Sequence, residues 1–186
     1  PGGFDVLRFG TGIDAADVVG SRVGDDVLLQ VRGSTDGVTV AGYFGANVVA
    51  GTRVSDHKID QVEFASGLAW GQAAIESVVA RAAANHRPTA ALVVPALQAR
   101  VGQSFTYTVA ANTILDSDTW DSVRYSLRSA DGSDLPGWLS FDTATRTLAG
   151  TPGTSQVGSA QLVLWGTDMY GLAAGVGVGL NVTDPL

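Results

Sequence analysis

The stretch LPGWLSFDTATRTLAGTP, which runs from Leu135 to Pro152, predicts a β-hairpin with an aromatic anchor. Its middle, DTAT, is a polar tetrapeptide of the kind that forms tight turns, and TLAG after it has the composition of a returning strand. Three bulky residues before the turn are candidates for the core: Trp138, Leu139 and Phe141. The indole of Trp138 has two interpretations, because it could hold two sheets together or stack against a sugar ring.

Short runs of β-branched and aromatic residues recur along the whole chain between turn residues, and glycine contributes 24 of the 186 residues. This pattern predicts a mostly β protein. The predicted strands are DVLLQV, GVTVAGYF, QVEFA, FTYTVAA, VRYSL, TLAGT, AQLVLWGTD and GVGVGLNV. In GQAAIESVVARAAANHRP the apolar residues instead fall at helical spacing, which predicts a short helix from about Gly71 to Ala83.

The composition changes where this helix ends, and the sequence NHRPT has the character of a hinge because proline forces an extended exit. We therefore predict two domains, residues 1–84 and 85–186. The first is a small β domain that the helix closes. The second contains about seven strands at regular spacing, which is typical of a β-sandwich.

The composition excludes several classes of function. The formal net charge is -7 and the 11 basic residues include a single lysine, Lys58, so no basic stripe exists that could follow a nucleic-acid backbone, whereas a cation would be attracted. The absence of cysteine excludes disulfides, thiolate catalysis and cysteine-type zinc sites. No apolar run is long enough to predict a membrane-spanning helix. Because the chain begins at Pro1 without a methionine or signal peptide, we expect it to be a piece of a longer protein.

Three aspartates lie close together in the stretch ILDSDTWDSVRYS, from Ile114 to Ser126: Asp116, Asp118 and Asp121. Carboxylates this close repel one another unless water, a cation or a metal neutralises them. The loop alone allows two interpretations. Its oxygens could be ligands of a divalent metal, or the loop could be a solvated turn in which aspartate and serine side chains cap backbone amides.

The sequence contains no clear catalytic constellation. His57 and His86 lack the nearby partners that zinc sites use, so we expect both to be surface or linker residues. Ser66 lacks the second glycine of a nucleophile turn, and the clustered aspartates do not flank an obvious cleft as glycosidase carboxylates do. The Asp184-Pro185 pair is more simply a linker toward a following domain than a self-cleavage site. We therefore predict that the chain is not an enzyme.

Residues 85–186 resemble the dystroglycan-type, cadherin-like domains of bacterial secreted and surface proteins. The segments that carry the resemblance are FTYTV, ILDSDTWDSVRYSL, LVLWGTDMYG, VGLNVTDP and, as the most specific piece, LPGWLSFDTATRTLAGTP. The resemblance implies an antiparallel β-sandwich of the cadherin or Ig type.

Residues 3–76 look like the haemolysin-type calcium-binding-related, RTX-associated domain that follows glycine-aspartate repeats in type I secreted proteins. The matching segments are DVLRFGTGI, DDVLLQV, DGVTVAGYF and IDQVEFASGLAWGQAAI. A complete calcium-binding nonapeptide reads G-G-x-G-x-D-x-U-x, and only GGFDVL remains of it here, with Phe4 in place of the expected glycine spacing. We therefore expect no ion-filled β-roll in this chain.

The cadherin-like resemblance implies a calcium site at the pole of the second domain that faces the preceding domain. Asp116 and Asp118 match the paired aspartates of the family, and Asp168 in GTDMYG matches its later acidic motif. The predicted metal ligands are Asn85, Asp116, Asp118, Asp121 and Asp168, and the predicted ion is Ca²⁺. The sequence departs from the family at Trp120, where relatives often have glycine, and at Gly166, which leaves the first acidic position of the later motif empty.

Two aromatic residues, Trp120 and Tyr170, would lie near the same pole and are possible ligand contacts. An aromatic ring beside a bound calcium ion can hold a sugar by stacking while the ion coordinates its hydroxyls. The other interpretation is that Trp120 shields the loop from solvent.

Together these observations predict a calcium-binding extension or adhesion module of a type I secreted bacterial surface or extracellular protein, rigidified by Ca²⁺ at the junction of its domains. The alternative is a Ca²⁺-dependent carbohydrate-binding module for exopolysaccharide or biofilm matrix. The expected partners are calcium, neighbouring domains of a longer chain, and a polysaccharide or cell-surface ligand, but not nucleic acid.

Overall fold

The computed structural model describes residues 3–45, 48–49, 52–53 and 57–184. The chain divides into two compact units, Pro1–Asn85 and His86–Leu186, whereas the sequence prediction drew the boundary after residue 84. Two predicted features lie partly outside the described residues, namely the GGFDVL remnant, which begins at Gly2, and Pro185 of the Asp-Pro pair. Within the described ranges no helix has the length and hydropathy that a membrane crossing requires.

The described residues of the first unit form short strands, a single 3₁₀ turn at Ala15–Asp17 and a closing α-helix. Its elements are β1 (Val6–Arg8), β2 (Val18–Val23), β3 (Asp26–Val31), β4 (Gly37–Val40), β5 (Val48–Val49), β6 (Thr52–Arg53), β7 (Gln61–Glu63), β8 (Ala69–Gly71) and α1 (Gln72–Ala84). The strands form three small sheets with the orders β1-β7-β8, β2-β3-β4 and β5-β6. The pairing is antiparallel except between β1 and β7.

Helix α1 confirms the helical periodicity of the sequence. Ile75 and Val79, which are one turn apart, are buried in the core of this unit with Val27 and Leu29 of β3. Gly20 of β2 permits the close approach of the helix, since a Cβ there would lie 3.1 Å from a Val78 methyl carbon. The helix ends at Ala84, four residues before Pro88, and Asn85 after it has extended backbone.

The predicted strand GVTVAGYF is wrong in its second half. Strand β4 ends at Val40, and residues 41–44 form a turn in which Gly42 has φ of 69°. Tyr43 is nevertheless 1% exposed and packs edge-to-face against Phe44 at a centroid distance of 5.0 Å. The apolar run therefore reflects core packing of a turn, which periodicity does not distinguish from a strand.

The second unit is a β-sandwich, as predicted. Its elements are β9 (Thr89–Ala90), β10 (Leu97–Arg100), β11 (Phe105–Thr108), β12 (Ile114–Leu115), β13 (Arg124–Ser129), β14 (Leu139–Asp142), β15 (Thr147–Gly150), β16 (Gly158–Thr167) and β17 (Ala173–Thr183). One sheet has the order β10-β17-β16-β13, the other has the order β11-β15-β14, and β9 pairs with β12. All pairs are antiparallel except β10 with β17, which is parallel.

The core of the sandwich follows from strict alternation along the long strands. The inward residues of β17 are Val176, Val178, Leu180 and Val182, and those of β16 include Leu162 and Leu164. Glycines occupy three outward positions of β17: Gly175 just before Val176, and Gly177 and Gly179 between the inward residues. The core thus joins both sheets, since Leu139 of β14 and Leu148 of β15 belong to the same buried cluster.

The opening hairpin is confirmed as β14 and β15, which pair antiparallel with Leu139 opposite Gly150. Asp142 begins the turn by accepting hydrogen bonds from the backbone N–H groups of Ala144 and Thr145 at 2.8 and 3.0 Å. Gly150 has no room for a side chain, because a Cβ there would lie 2.1 Å from the Trp138 carbonyl oxygen. Trp138 itself packs, partly buried, against the core.

Candidate metal centre

Three loops of the second unit meet at one end of the sandwich. Strand β13 pairs with β16, and the last residue pair in that register is Arg124 opposite Thr167. The loop before β13, which contains Asp121, and the loop after β16, which contains Asp168, therefore leave the sheet at the same end. Asp116 follows the short strand β12. One carboxylate oxygen from each of Asp116, Asp121 and Asp168 lies within 4.8 Å of the other two.

Backbone hydrogen bonds orient these three carboxylates, which we call the aspartate triad. Asp116 Oδ1 accepts from the N–H of Asp118 at 2.8 Å, and Asp121 Oδ1 accepts from the N–H of Met169 at 3.0 Å. Asp168 Oδ1 accepts from the N–H groups of Tyr170 and Leu172, both at 2.8 Å. These backbone bonds all engage Oδ1 and restrain each carboxylate.

A buried tyrosine holds the loop that carries Asp116. The Tyr125 hydroxyl accepts a hydrogen bond from the N–H of Ile114 at 2.9 Å and lies 3.0 Å from the Ala111 carbonyl oxygen and 2.9 Å from that of Ile114. Because Ile114 is itself 1% exposed, the residue two positions before Asp116 is fixed both by packing and by hydrogen bonding.

Gly166 shows why the chain departs at this position from the predicted cadherin-like pattern. It is buried in β16, and a Cβ there would lie 2.7 Å from side-chain carbons of both Ile114 and Val123. An acidic side chain at this position would collide with these two apolar residues, which adjoin the loops of the triad. The first acidic position of the later motif is thus closed by packing in this chain.

The triad is unevenly desolvated. Asp168 is 3% exposed, while Asp116 and Asp121 are half-buried. Burial raises the pKa of Asp121, and the negative charges of Asp168 and Asp116 raise it further, against hydrogen bonds from Ser122 and Met169 that lower it. Asp116 Oδ2 is inaccessible to solvent and accepts no hydrogen bond from the described residues.

Asp118, also a predicted ligand, is not a member of the triad, and its carboxylate bonds to His86. Its Oδ2 accepts a hydrogen bond from the His86 backbone N–H at 2.7 Å, and its Oδ1 lies 2.9 Å from His86 Nδ1. The hydrogen bond with Asp118 raises the pKa of His86, and the hydrogen bonds from His86 lower the pKa of Asp118. The His86 side chain is 71% exposed, as expected for a linker histidine, but this pair was not predictable because 32 residues separate its members.

The remaining predicted residues take the following places. Asn85 is the last residue of the first unit and follows α1 directly. Trp120 and Tyr170 pack edge-to-face against each other, with ring centroids 5.9 Å apart and an interplanar angle of 83°, and both rings are half-buried. His57 lies in the first unit and is exposed.

The triad has the donors and spacing that a hard divalent cation needs. Two oxygens on one calcium ion are separated by at most about 4.6–5.2 Å, which is twice the usual ion–oxygen distance of about 2.3–2.6 Å. The 4.8 Å limit within the triad is consistent with one shared ion. All three donors are carboxylates, which favour calcium or magnesium over softer metals.

The matches to known proteins cover short regions or have low sequence identity. Axial budding pattern protein 2 of Saccharomyces cerevisiae is 35% identical over 68 residues, which is 36% of this chain and 8% of that protein. Among solved structures, the endo-fucoidan hydrolase MfFcnA4 of glycoside hydrolase family 107 has a TM-score of 0.43 at 17% identity, over 55% of this chain and 14% of that one. The human desmocollin-1 ectodomain has a TM-score of 0.37 at 15% identity, over 54% and 20% of the two chains. The chain thus spans a small part of each of these proteins.

Two family models match the chain, one in each unit. The family described as "Haemolysin-type calcium binding protein related domain" matches residues 26–74, which confirms the resemblance predicted for the first unit. The family described as "Putative Ig domain" matches residues 88–183, slightly more than half of the chain, in agreement with the β-sandwich. On this match, the chain belongs to the Ig-like family described as "Putative Ig domain".

Proposed function

We propose that the chain is a calcium-binding extension or adhesion module of an extracellular bacterial protein and that it performs no chemical reaction. The observation that carries this proposal is the aspartate triad, in which oxygens from three loops lie within 4.8 Å of one another. The Ig-like and calcium-binding-related family matches support the same function. The finer assignments, a dystroglycan-type cadherin-like second domain and an RTX-associated first domain, are part of this proposal.

Calcium is the ion that this geometry favours. It accepts about six to eight oxygens in tolerant geometry, including backbone carbonyls and water, whereas magnesium requires a near-ideal octahedron. Three carboxylates that backbone hydrogen bonds already orient would supply part of that shell. The ion's charge would offset the repulsion that contributes to the raised pKa of Asp121, and it would give the buried Asp116 Oδ2 a partner.

Calcium would act on this module by stabilising its folded state. A type I secreted chain crosses the envelope unfolded from a cytosol poor in calcium and meets abundant calcium outside. An ion that binds only the folded state adds about 2.7 kcal/mol at a free concentration of 100 times the dissociation constant. That gain is a large fraction of the roughly 5–15 kcal/mol that stabilises an ordinary domain.

We further propose that calcium stiffens the chain around residues 85 and 86. His86, the first residue of the second unit, donates its backbone N–H to Asp118. In the sequence, Asp118 lies between Asp116 and Asp121 of the triad. Ordering the triad loop would therefore order the start of the second unit. Small-angle scattering should show a longer, stiffer particle with calcium than with chelator, and identical profiles would remove this part of the proposal.

Titration calorimetry on the full chain tests the calcium assignment. We expect one calcium ion to bind per triad, magnesium to bind more weakly, and Asp116→Asn to weaken calcium binding. The matched control is Asp131→Asn, because Asp131 also orders a turn, by accepting from the Ser133 N–H at 2.9 Å, but lies outside the triad. Equal calcium heats for Asp116→Asn and the wild type would contradict the assignment.

The second candidate function is Ca²⁺-dependent carbohydrate binding. The Trp120–Tyr170 pair adjoins the triad in sequence, and Tyr170 donates its backbone N–H to Asp168. These rings could stack against a sugar or shield the loops, and a glycan array with calcium and with chelator separates the two. A pure extension module binds no glycan under either condition.

A further inference from the structure

A groove of about 730 Å³ opens beside the aspartate triad within the second unit. Asp116 and Asp121 line it, and so do Thr143, Ala144 and Arg146 at the tip of the β14–β15 hairpin. Its volume lies within the range of about 300–1,000 Å³ that is usual for small-ligand sites. Calcium held by the triad would thus be bordered by a space of ligand size.

Arg146 occupies a backbone conformation that disfavours arginine. Its φ is 58°, and among the described residues it is the only non-glycine residue with a positive φ. A Cβ is crowded in this left-handed region, so glycine or asparagine would complete the hairpin turn with less strain. Strain of this kind points toward a role for the side chain rather than for the turn.

The Arg146 guanidinium uses few of its N–H donors within the described residues. Among the described residues its one hydrogen bond runs from Nε to the Val109 carbonyl oxygen, at the long distance of 3.4 Å. A guanidinium carries five N–H donors in a planar fork that matches a carboxylate. The hairpin tip therefore presents a cation with available donors to a groove that also contains two aspartates of the triad.

We propose that this groove binds a carboxylate-bearing saccharide, such as a uronic acid residue of an acidic polysaccharide, with Arg146 pairing with its carboxylate. The proposal rests on the calcium function proposed above and names the ligand class that the ion and the arginine would hold together. Ser122 and Thr143, which carry hydroxyl groups, also line the groove and complement a polyhydroxylated ring.

Two features of the groove favour a uronate over other anions. A uronate offers a carboxylate for the guanidinium and ring hydroxyls for calcium, whereas an acidic peptide offers carboxylates and backbone amides but no ring hydroxyls. The groove is lined by two aspartates, Asp116 and Asp121, and by two arginines, Arg124 and Arg146, on a chain of net charge -7. Calcium on the triad would offset the aspartates and leave the arginines to attract an anion. Binding should therefore require calcium.

The test is calorimetric titration of the full chain with a galacturonate trimer, in saturating calcium and in chelator, with the trimer titrated into calcium buffer as the blank. Arg146→Gly removes the guanidinium and relieves the backbone strain. We expect this variant to bind calcium and melt like the wild type or at higher temperature, but to bind the trimer about tenfold to a hundredfold more weakly. Arg146→Lys, which keeps the charge without the fork, should lie between them.

Several results would overturn the proposal. These are trimer binding by Arg146→Gly at wild-type affinity, equal binding of the neutral trisaccharide maltotriose, tighter binding of triaspartate, or trimer binding that persists in chelator. If calcium binds and the trimer does not, only this inference fails. If the chain without saccharide binds no calcium, the proposed function itself fails.

Discussion

Replacing Asp168 by asparagine removes one charge from the triad while keeping an oxygen that can accept the backbone N–H groups of Tyr170 and Leu172. In chelator the variant should be as stable as the wild type or more stable, because a buried negative charge near Asp116 and Asp121 is gone. In calcium the variant should be less stable than the wild type, because the ion loses a charged ligand. The sign of the mutational effect thus depends on calcium.

The expected size follows from mass action. At a free calcium concentration of 100 times the dissociation constant the wild type gains about 2.7 kcal/mol. Losing one charged ligand costs about 1.5–3 kcal/mol of binding, or roughly tenfold to a hundredfold in affinity. At the upper end the gain falls to about 0.4 kcal/mol. For a unit of about 100 residues, a calcium-induced rise in Tm of roughly 10–20 °C would shrink to about 2–3 °C.

Thermal melts followed by tryptophan fluorescence measure this effect. Of the chain's four tryptophans, the three in the second unit are Trp120, Trp138 and Trp165, so the signal reports mainly on that unit. Asp131→Asn serves as the control and should show the full calcium-induced rise. Melts of the wild type that coincide with and without calcium, or a full rise retained by Asp168→Asn, would refute the reasoning.

Two further predictions concern packing and the histidine pair. Gly166→Ala should destabilise the second unit by about 1–3 kcal/mol in denaturant unfolding, because its Cβ would lie 2.7 Å from Ile114. Gly177→Ala is the control: its Cβ would meet nothing within 4 Å, so stability should stay unchanged or rise by up to about 1 kcal/mol. Equal effects of the two substitutions would contradict the packing argument. The pKa of His86, followed by NMR, should lie above its ordinary value of 6.5 and return toward it in Asp118→Asn. Because the folded-state pKa is the higher one, the pair stabilises the fold below pH 6.5, and this contribution is lost as the pH rises through the raised pKa. A His86 pKa that is unchanged by Asp118→Asn would rule out the pair.

The sandwich was predictable where alternation is strict. Strand β17 alternates glycine with buried valine and leucine, and the aromatic anchor before the DTAT turn identifies the hairpin. The parallel pairing of β10 with β17 was not predictable. It places Leu97 opposite Leu180, and the local sequence pattern carries no information on which strands pair when they lie so far apart along the chain. Tyr43 was predicted to lie in a strand rather than a turn, because an apolar run does not distinguish a buried turn from a strand.

The candidate site was predictable only in part. Proximity in sequence grouped Asp116, Asp118 and Asp121, and the family resemblance added Asp168, which the fold brings to the same end of the sandwich. Asp118 and Asp116 are two residues apart and their carboxylates take different partners, since the Asp118 oxygens bond to His86. That separation depends on the path of residues 86 to 90 beside β12, a tertiary feature that residue spacing does not encode.

A crystal structure of the chain grown in millimolar calcium tests the central claim most directly. The account predicts an anomalous difference peak at the end of the sandwich, with carboxylate oxygens of Asp116, Asp121 and Asp168 at about 2.3–2.6 Å from it. Ordered calcium elsewhere, or only water between these three carboxylates, would contradict the account.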